Sequence, residues 1–309
     1  MFVSVCLLLA FRRAQADSLA GVERLLAAGE FRTAVAALKA TPAPASSTAR
    51  WHLLASKAYD GAGDPASAVH EAQEAIRLDP HNEGAHLQLA QVFLTRHTPL
   101  PAYEILSDAL TLFPDSVLIR LGMGLALQDL QRYDEAARVL QECLRRKPDF
   151  PVAFDALATV YLDASRYDDL LSLSADYLRR KPDDYRGYYY LAATRTALGQ
   201  DLSRTELMVE KAIQRNPKFA ASYALLGKVR LKAGRAGDAI DPLMQAIQLR
   251  PNYSPAWLSL GNAYRKLGRE EEAARAFAEL RRLKEEERRP VYELQYHRGP
   301  AAAPTPAQK

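Results

Sequence analysis

The chain has 309 residues, of which 48% are hydrophobic and 25% charged, the composition of an ordinary soluble globular protein; collagen-like, wholly disordered and multispan membrane chains are excluded. Its 41 Lys and Arg against 37 Asp and Glu give a net charge of +4, and the surplus is C-terminal, because residues 1–150 hold 15 basic and 17 acidic side chains and the rest hold 26 and 20. Two cysteines, one of them Cys6 near the start, make no disulfide framework.

The chain opens on Phe2 to Phe11, an apolar run about half as long as a bilayer span, followed by the small-x-small pattern Ala14-Gln15-Ala16. Residues 1–16 therefore read as a short secretory signal cleaved after Ala16, although no Lys or Arg precedes the run and Arg12-Arg13 follows it. An uncleaved anchor and the first helix of the fold are the other readings. The expected location is exported or periplasmic if the signal is real and cytoplasmic otherwise, and no transmembrane span is expected.

Beyond residue 48 the sequence repeats itself. Pro80, Pro114, Pro148, Pro182, Pro217 and Pro251 are separated by 34, 34, 34, 35 and 34 residues. A small residue recurs with the same period at Ser56, Ala90, Gly124, Ala158, Ala192, Gly227 and Gly261, and mostly small ones recur at Ala68, Ala102, Ala136 and Ala239. Small side chains at fixed places let two helices approach closely and let each pair stack on the next. Bulky residues alternate with them: His52, His86, Arg120, Phe154, Tyr188, Tyr223 and Trp257 lie early in the first helix of each unit. Each proline stops the second helix, and Gly63, Gly199, Gly234 and Gly268 turn the chain between the two, with Gln131 and Ser165 at that place in other units. Thr98 before Pro99 is expected to cap a helix whose first turn holds the proline.

A helix-turn-helix of this period resembles the tetratricopeptide repeat (TPR) family, most fully in Trp257, Leu260, Gly261, Tyr264, Ala273 and Phe277. The resemblance implies an all-α fold, a right-handed superhelical solenoid of antiparallel helix pairs. Seven units are assigned at 49–82, 83–116, 117–150, 151–184, 185–219, 220–253 and 254–287. Residues 17–48 hold a degenerate first repeat and linker, in which Gly29-Glu30-Phe31 and Ala34 match the turn and second helix. Residues 288–309 hold the end of a charged cap and a Pro/Ala-rich tail expected to be disordered. Arg120, Arg195 and Arg230 stand where the family usually has apolar or aromatic residues, so either the central units stack less regularly or these arginines reach toward a partner.

A search for catalytic chemistry finds no His-Glu-x-x-His, no Cys-x-x-Cys, no phosphate-binding glycine loop and no Gly-x-Ser-x-Gly elbow. Asp168-Asp169 and Asp183-Asp184 sit at a turn and a helix start, where aspartate caps. The reading is of a non-enzyme with no catalytic residue, metal or cofactor. Its function is that of a protein-protein interaction scaffold binding an extended or helical peptide segment of another protein. The alternatives are a recruiting or regulatory subunit of a separate glycosyltransferase or peptidase and, further off, a polyanion or nucleic-acid binder.

The resemblance implies that the first helix of each unit lines a concave groove. Its candidate partner-binding residues are Arg186, Tyr189, Tyr190, Lys228, Lys232, Asn262, Arg265 and Lys266, an aromatic then basic stretch suited to a hydrophobic anchor with an acidic end. One TPR subgroup holds C-terminal carboxylates with a Lys followed four residues later by Asn; here the equivalent pairs are Leu53 with Lys57, Asp155 with Thr159, Ala224 with Lys228 and Leu258 with Asn262, and that clamp is incomplete. Lys232→Glu is expected to alter binding and leave stability nearly unchanged.

Overall fold

The computed structural model describes residues 19–41 and 48–287. The proposed signal at 1–16 and the Pro/Ala-rich tail lie outside the described residues. Among the described residues all regular structure except turns is helical, with no strand.

The chain divides into two compact units, one ending at Asp149 and the other beginning at Phe150. Pro148 and Pro151 flank the division. The first unit holds α1 (19–27), α2 (Phe31–Lys39), α3 (Ala49–Ala62), α4 (Pro65–Leu78), α5 (Glu83–Leu94), α6 (Pro99–Leu112), α7 (Val117–Asp129) and α8 (Tyr133–Arg146). The second holds α9 (Pro151–Asp163), α10 (Tyr167–Arg180), α11 (Tyr185–Leu198), α12 (Leu202–Arg215), α13 (Ala220–Lys232), α14 (Ile240–Leu249), α15 (Ser254–Lys266) and α16 (Glu270–Glu287).

Within each helix pair the small residues sit at the crossing. Ser56, Ala90, Ala158 and Ala192 are buried, and the Ser56 hydroxyl donates to the Ala68 carbonyl at 2.7 Å, tying α3 to α4. At Gly227 an added Cβ would lie 2.4 Å from Leu243 Cγ, and at Gly124 2.5 Å from Leu140 Cγ, so the partner helix occupies the space a side chain would need. Around these crossings the buried apolar side chains form the cores, with Leu89, Phe93, Ile105 and Leu106 in the first unit and Ala239, Leu243, Ala246 and Leu260 in the second.

A polar contact recurs with the repeat. His86 Nε2 lies 3.0 Å from the Pro80 carbonyl, Arg120 Nη2 donates to the Pro114 carbonyl at 2.5 Å, and Trp257 Nε1 donates to the Pro251 carbonyl at 2.8 Å. In each case the bulky residue of a first helix satisfies the carbonyl of the proline six residues back, a group the ended helix leaves without an intrahelical donor. Arg120 therefore points inward and is only 9% exposed, which corrects the reading that it could reach a partner. Arg230 is likewise engaged, with Glu206 at 2.8 Å, and Arg195 keeps its Nε buried.

The turn between the paired helices takes the left-handed conformation at Gly63, Gly199, Gly234 and Gly268, and also at His97, Gln131 and Ser165, whose φ values are 52°, 58° and 55°. All seven stand seven residues after the small residue of the first helix, so the turn geometry is repeated even where glycine is missing. Thr98 is the N-cap residue of α6 and Pro99 lies in its first turn, but the Thr98 hydroxyl makes no capping bond and donates back to the Phe93 carbonyl at 2.8 Å.

Candidate functional site

In the second unit α11, α13 and α15, the first helices of three successive pairs, carry most of the lining of two adjoining hollows. Asp184 starts α11 by accepting the Arg186 backbone N–H at 3.0 Å, and Gly199 ends it. Pro255 lies in the first turn of α15, and Gly234 and Gly268 follow α13 and α15 with positive φ. These stops hold the three helices to nearly equal lengths, which brings side chains one period apart onto the same surface.

The first hollow, of about 370 Å³, is floored by Ala193, Ala197, Ala221 and Ala224 and walled by the rings of Tyr189 and Tyr253. Burial, followed by the neighbouring Tyr253, pushes the Tyr189 hydroxyl well above the ordinary tyrosine range, so it remains a protonated donor. The second hollow, of about 440 Å³, is lined by Lys228, Lys232, Asn262, Arg265 and Lys266 around Leu231 and Leu258. Lys228, Pro255 and Ser259 belong to both, so the two are continuous. Among the described residues no carboxylate lines either one.

The cations of the second hollow are held in different ways. Lys232 Nζ donates to the Thr196 carbonyl at 2.6 Å and Lys266 Nζ to the Leu231 carbonyl at 3.3 Å, each reaching the last turn of the preceding first helix. The carbonyl end of a helix attracts a cation, so these two lysines also join neighbouring pairs. Arg265 donates to Asn262 Oδ1 at 3.0 Å and lies over the Phe277 ring, 5.8 Å from its centroid. Lys228 is exposed, and among the described residues none of these four cations forms an ion pair.

Of the eight residues singled out from the sequence, six line the hollows: Tyr189, Lys228, Lys232, Asn262, Arg265 and Lys266. Arg186 and Tyr190 do not. The Arg186 guanidinium donates to Asp155 at 2.8 Å and pairs with Asp184 at 3.1 Å while lying 4.8 Å from the Tyr185 ring centroid. Tyr190 is 7% exposed, packs edge-on against Phe154 and donates to the Asp155 carbonyl at 3.3 Å. Burial raises the Asp155 carboxyl above the usual range despite its arginine partner. At Asp184 burial acts in the same direction but is outweighed by the Tyr177 hydroxyl and by Arg186, leaving it below that range. This network ties the start of α11 to α9, and its charges are already paired.

Tyr253, Pro255 and Ser259 were missed. Tyr253 lies in the turn before α15, outside any count of residues along a helix face, and its only signal was an aromatic residue two places after a repeat proline. Among the described residues no group of three or more His, Cys, Asp or Glu side chains could hold a metal ion, and no helix is long and apolar enough to cross a membrane.

Two family models described as tetratricopeptide repeat match the sequence, one at residues 101–160 and 230–295 and the other at 53–117, together more than half of the chain. No curated protein sequence matches. Among solved structures, a tetratricopeptide repeat protein from Parabacteroides merdae aligns with a TM-score of 0.65 at 15% identity, covering 76% of this chain and 93% of that one. Yeast Tom70 aligns at 0.63 and 18% identity over 82% of this chain and 55% of its own. A thermophilic TPR protein of Thermus thermophilus aligns at 0.50 and 24% identity over 54% and 91%. At these identities the likeness is one of fold.

Proposed function

Because the chain belongs to the tetratricopeptide repeat family, we propose that it is a non-catalytic scaffold for protein-protein interaction whose second unit takes a peptide segment of a partner into the hollows along α11, α13 and α15. Stacked helix pairs present an extended surface that no single pair offers, and binding partners is the use to which such a surface is suited. The observation that carries the reading is the continuity of the two hollows through Lys228, Pro255 and Ser259, which gives an elongated cleft with both apolar and charged lining. A segment laid along it gains from burying apolar side chains and from charge pairing at one end.

A photo-cross-linking amino acid placed at Leu258, which is 45% exposed in the second hollow, tests this against the same group at Leu207 on α12, 60% exposed and outside both hollows. Cross-linking in cells of the native source, followed by mass spectrometry of the joined peptides, is expected to give partner peptides from Leu258 and none in common from Leu207. Cross-links from Leu207 alone would refute the groove reading. If the joined partner is a glycosyltransferase or peptidase, the scaffold serves as its accessory subunit.

A further inference from the structure

We infer that the segment bound in the second unit is acidic, with a bulky apolar residue for the tyrosine-walled hollow and two or more Asp or Glu side chains for the basic one; this rests on the groove reading above. Four cations, Lys228, Lys232, Arg265 and Lys266, face one hollow that no carboxylate lines and in which none of them has an ion-pair partner among the described residues. Several arginines elsewhere in the same unit are answered by acidic groups, Arg166 by Asp169, Arg215 by Asp183 and Arg269 by Glu272. The basic hollow therefore holds concentrated positive charge that a ligand has to neutralise when it covers the site and displaces water.

Three of the four are positioned in advance. Lys232 and Lys266 are held by helix-end carbonyls and Arg265 by Asn262, while Lys228 stands at the junction of the hollows. Groups already held in place lose less entropy when a ligand arrives. One chain-terminal carboxylate cannot answer four cations spread over a full turn of α13 and the end of α15, whereas successive acidic side chains can.

The floor distinguishes peptide from nucleic acid. Leu231, Leu258 and Pro255 make much of the basic hollow apolar, and the adjoining hollow has four alanines and two tyrosine rings. A phosphate backbone has no use for that surface, while an acidic peptide with an apolar anchor uses both parts at once. Because the hollows share Lys228, Pro255 and Ser259, the anchor and the acidic residues lie within a few residues of each other, at about 3.3–3.6 Å of reach per residue.

Random 12-residue peptides displayed as internal insertions are selected on the full chain, and the enriched sequences are made with amidated ends and measured by fluorescence anisotropy. The expected consensus is one aromatic or large aliphatic residue beside at least two Asp or Glu. Its affinity is expected to fall at least tenfold with Lys228→Glu, an exposed position without a structural partner, and with Ala221→Trp, which fills the first hollow; circular dichroism checks that both variants fold. Enriched peptides free of acidic bias, weakened by Ala221→Trp and indifferent to Lys228→Glu, would overturn the acidic specificity and leave the groove reading standing. No enrichment at all, with a synthetic Phe-flanked tetraglutamate peptide also failing to bind, would overturn both. Binding of a 20-nucleotide single-stranded DNA that Lys228→Glu abolishes and acidic peptides fail to displace would overturn the inference in favour of a polyanion.

Discussion

The contact between Gly227 on α13 and Leu243 on α14 allows the packing argument to be tested by a change of sign. A Cβ added at Gly227 would meet Leu243 Cγ at 2.4 Å and its two Cδ atoms at 2.6 and 3.0 Å, and Leu243 is fully buried. Overpacking of this kind costs about 1–3 kcal/mol, while alanine gains about 1 kcal/mol over glycine inside a helix. Gly227→Ala is therefore expected to destabilise the second unit by about 1 kcal/mol. Leu243→Ala costs about 2–5 kcal/mol by itself, but it removes the obstructing atoms. In that background Gly227→Ala should become stabilising by about 1 kcal/mol, a coupling of about 2 kcal/mol between the two positions. The assay is urea unfolding followed by the fluorescence of Trp257, which packs against the same core, in a Trp51→Phe chain so that only the second unit reports. Gly227→Ala that stabilises the chain with Leu243 in place would refute close helix approach as the reason for the small residue.

Four further outcomes follow from named contacts. Arg120→Ala removes the donors to the Pro114 and Ser116 carbonyls and should cost about 1–3 kcal/mol in the first unit, with Arg120→His recovering part of it, as read by urea unfolding through Trp51. Lys232→Glu breaks the bond to the Thr196 carbonyl and should lower the second unit's stability by about 0.5–1.5 kcal/mol, against the near-neutral effect expected from sequence, while Lys228→Glu leaves the urea midpoint unchanged. Gln131→Gly relieves a left-handed residue at the turn after α7 and should stabilise the first unit by about 0.5–1 kcal/mol; a loss of stability would show that the Gln131 side chain contributes more than the strain costs. Asp184 has a folded pKa below its unfolded value, so its stabilisation is complete above about pH 4 and is lost as pH falls through the folded value; Asp184→Asn should flatten the acid limb of the urea midpoint measured through Trp257, and an unchanged limb would count against the pairing with Tyr177 and Arg186.

The pairing of helices was legible because it rests on local rules repeated many times. Prolines at intervals of 34 or 35 residues mark where second helices end, and small residues such as Ala90 and Gly227 mark where first helices cross them. The division at Asp149 was not legible, since the period runs through it without interruption and compactness depends on packing summed over many residues. At the site, Lys232 and Lys266 could be placed together because they are one repeat apart on equivalent helices, and Lys228 and Arg265 lie on the same two helices within one turn of them. Arg186 and Tyr190 could not be set aside in the same way: their engagement depends on Asp155 on α9, about thirty residues back, and helical spacing along α11 says nothing about it. The inward turn of Arg120 was equally hidden, because its role appears only when the Pro114 carbonyl is recognised as an acceptor in need of a donor.

That carbonyl suggests why the repeat tolerates such different residues at one place. His86, Arg120 and Trp257 share little in shape or charge, but each brings a ring or guanidinium nitrogen to the carbonyl of a proline that has just ended a helix. The requirement is a donor at a given reach, and it is met by three chemistries. The place occupied by Lys232 and Lys266 works in the opposite sense: a carbonyl at the end of the preceding first helix asks only for a cation or a donor, and a lysine that meets it also turns its charge toward the neighbouring hollow. Joining adjacent pairs and charging the groove are then one act performed by one side chain. A variant that removes the charge at either place therefore changes stability and binding together, and Lys228, which holds no helix end, is the position at which the two effects separate.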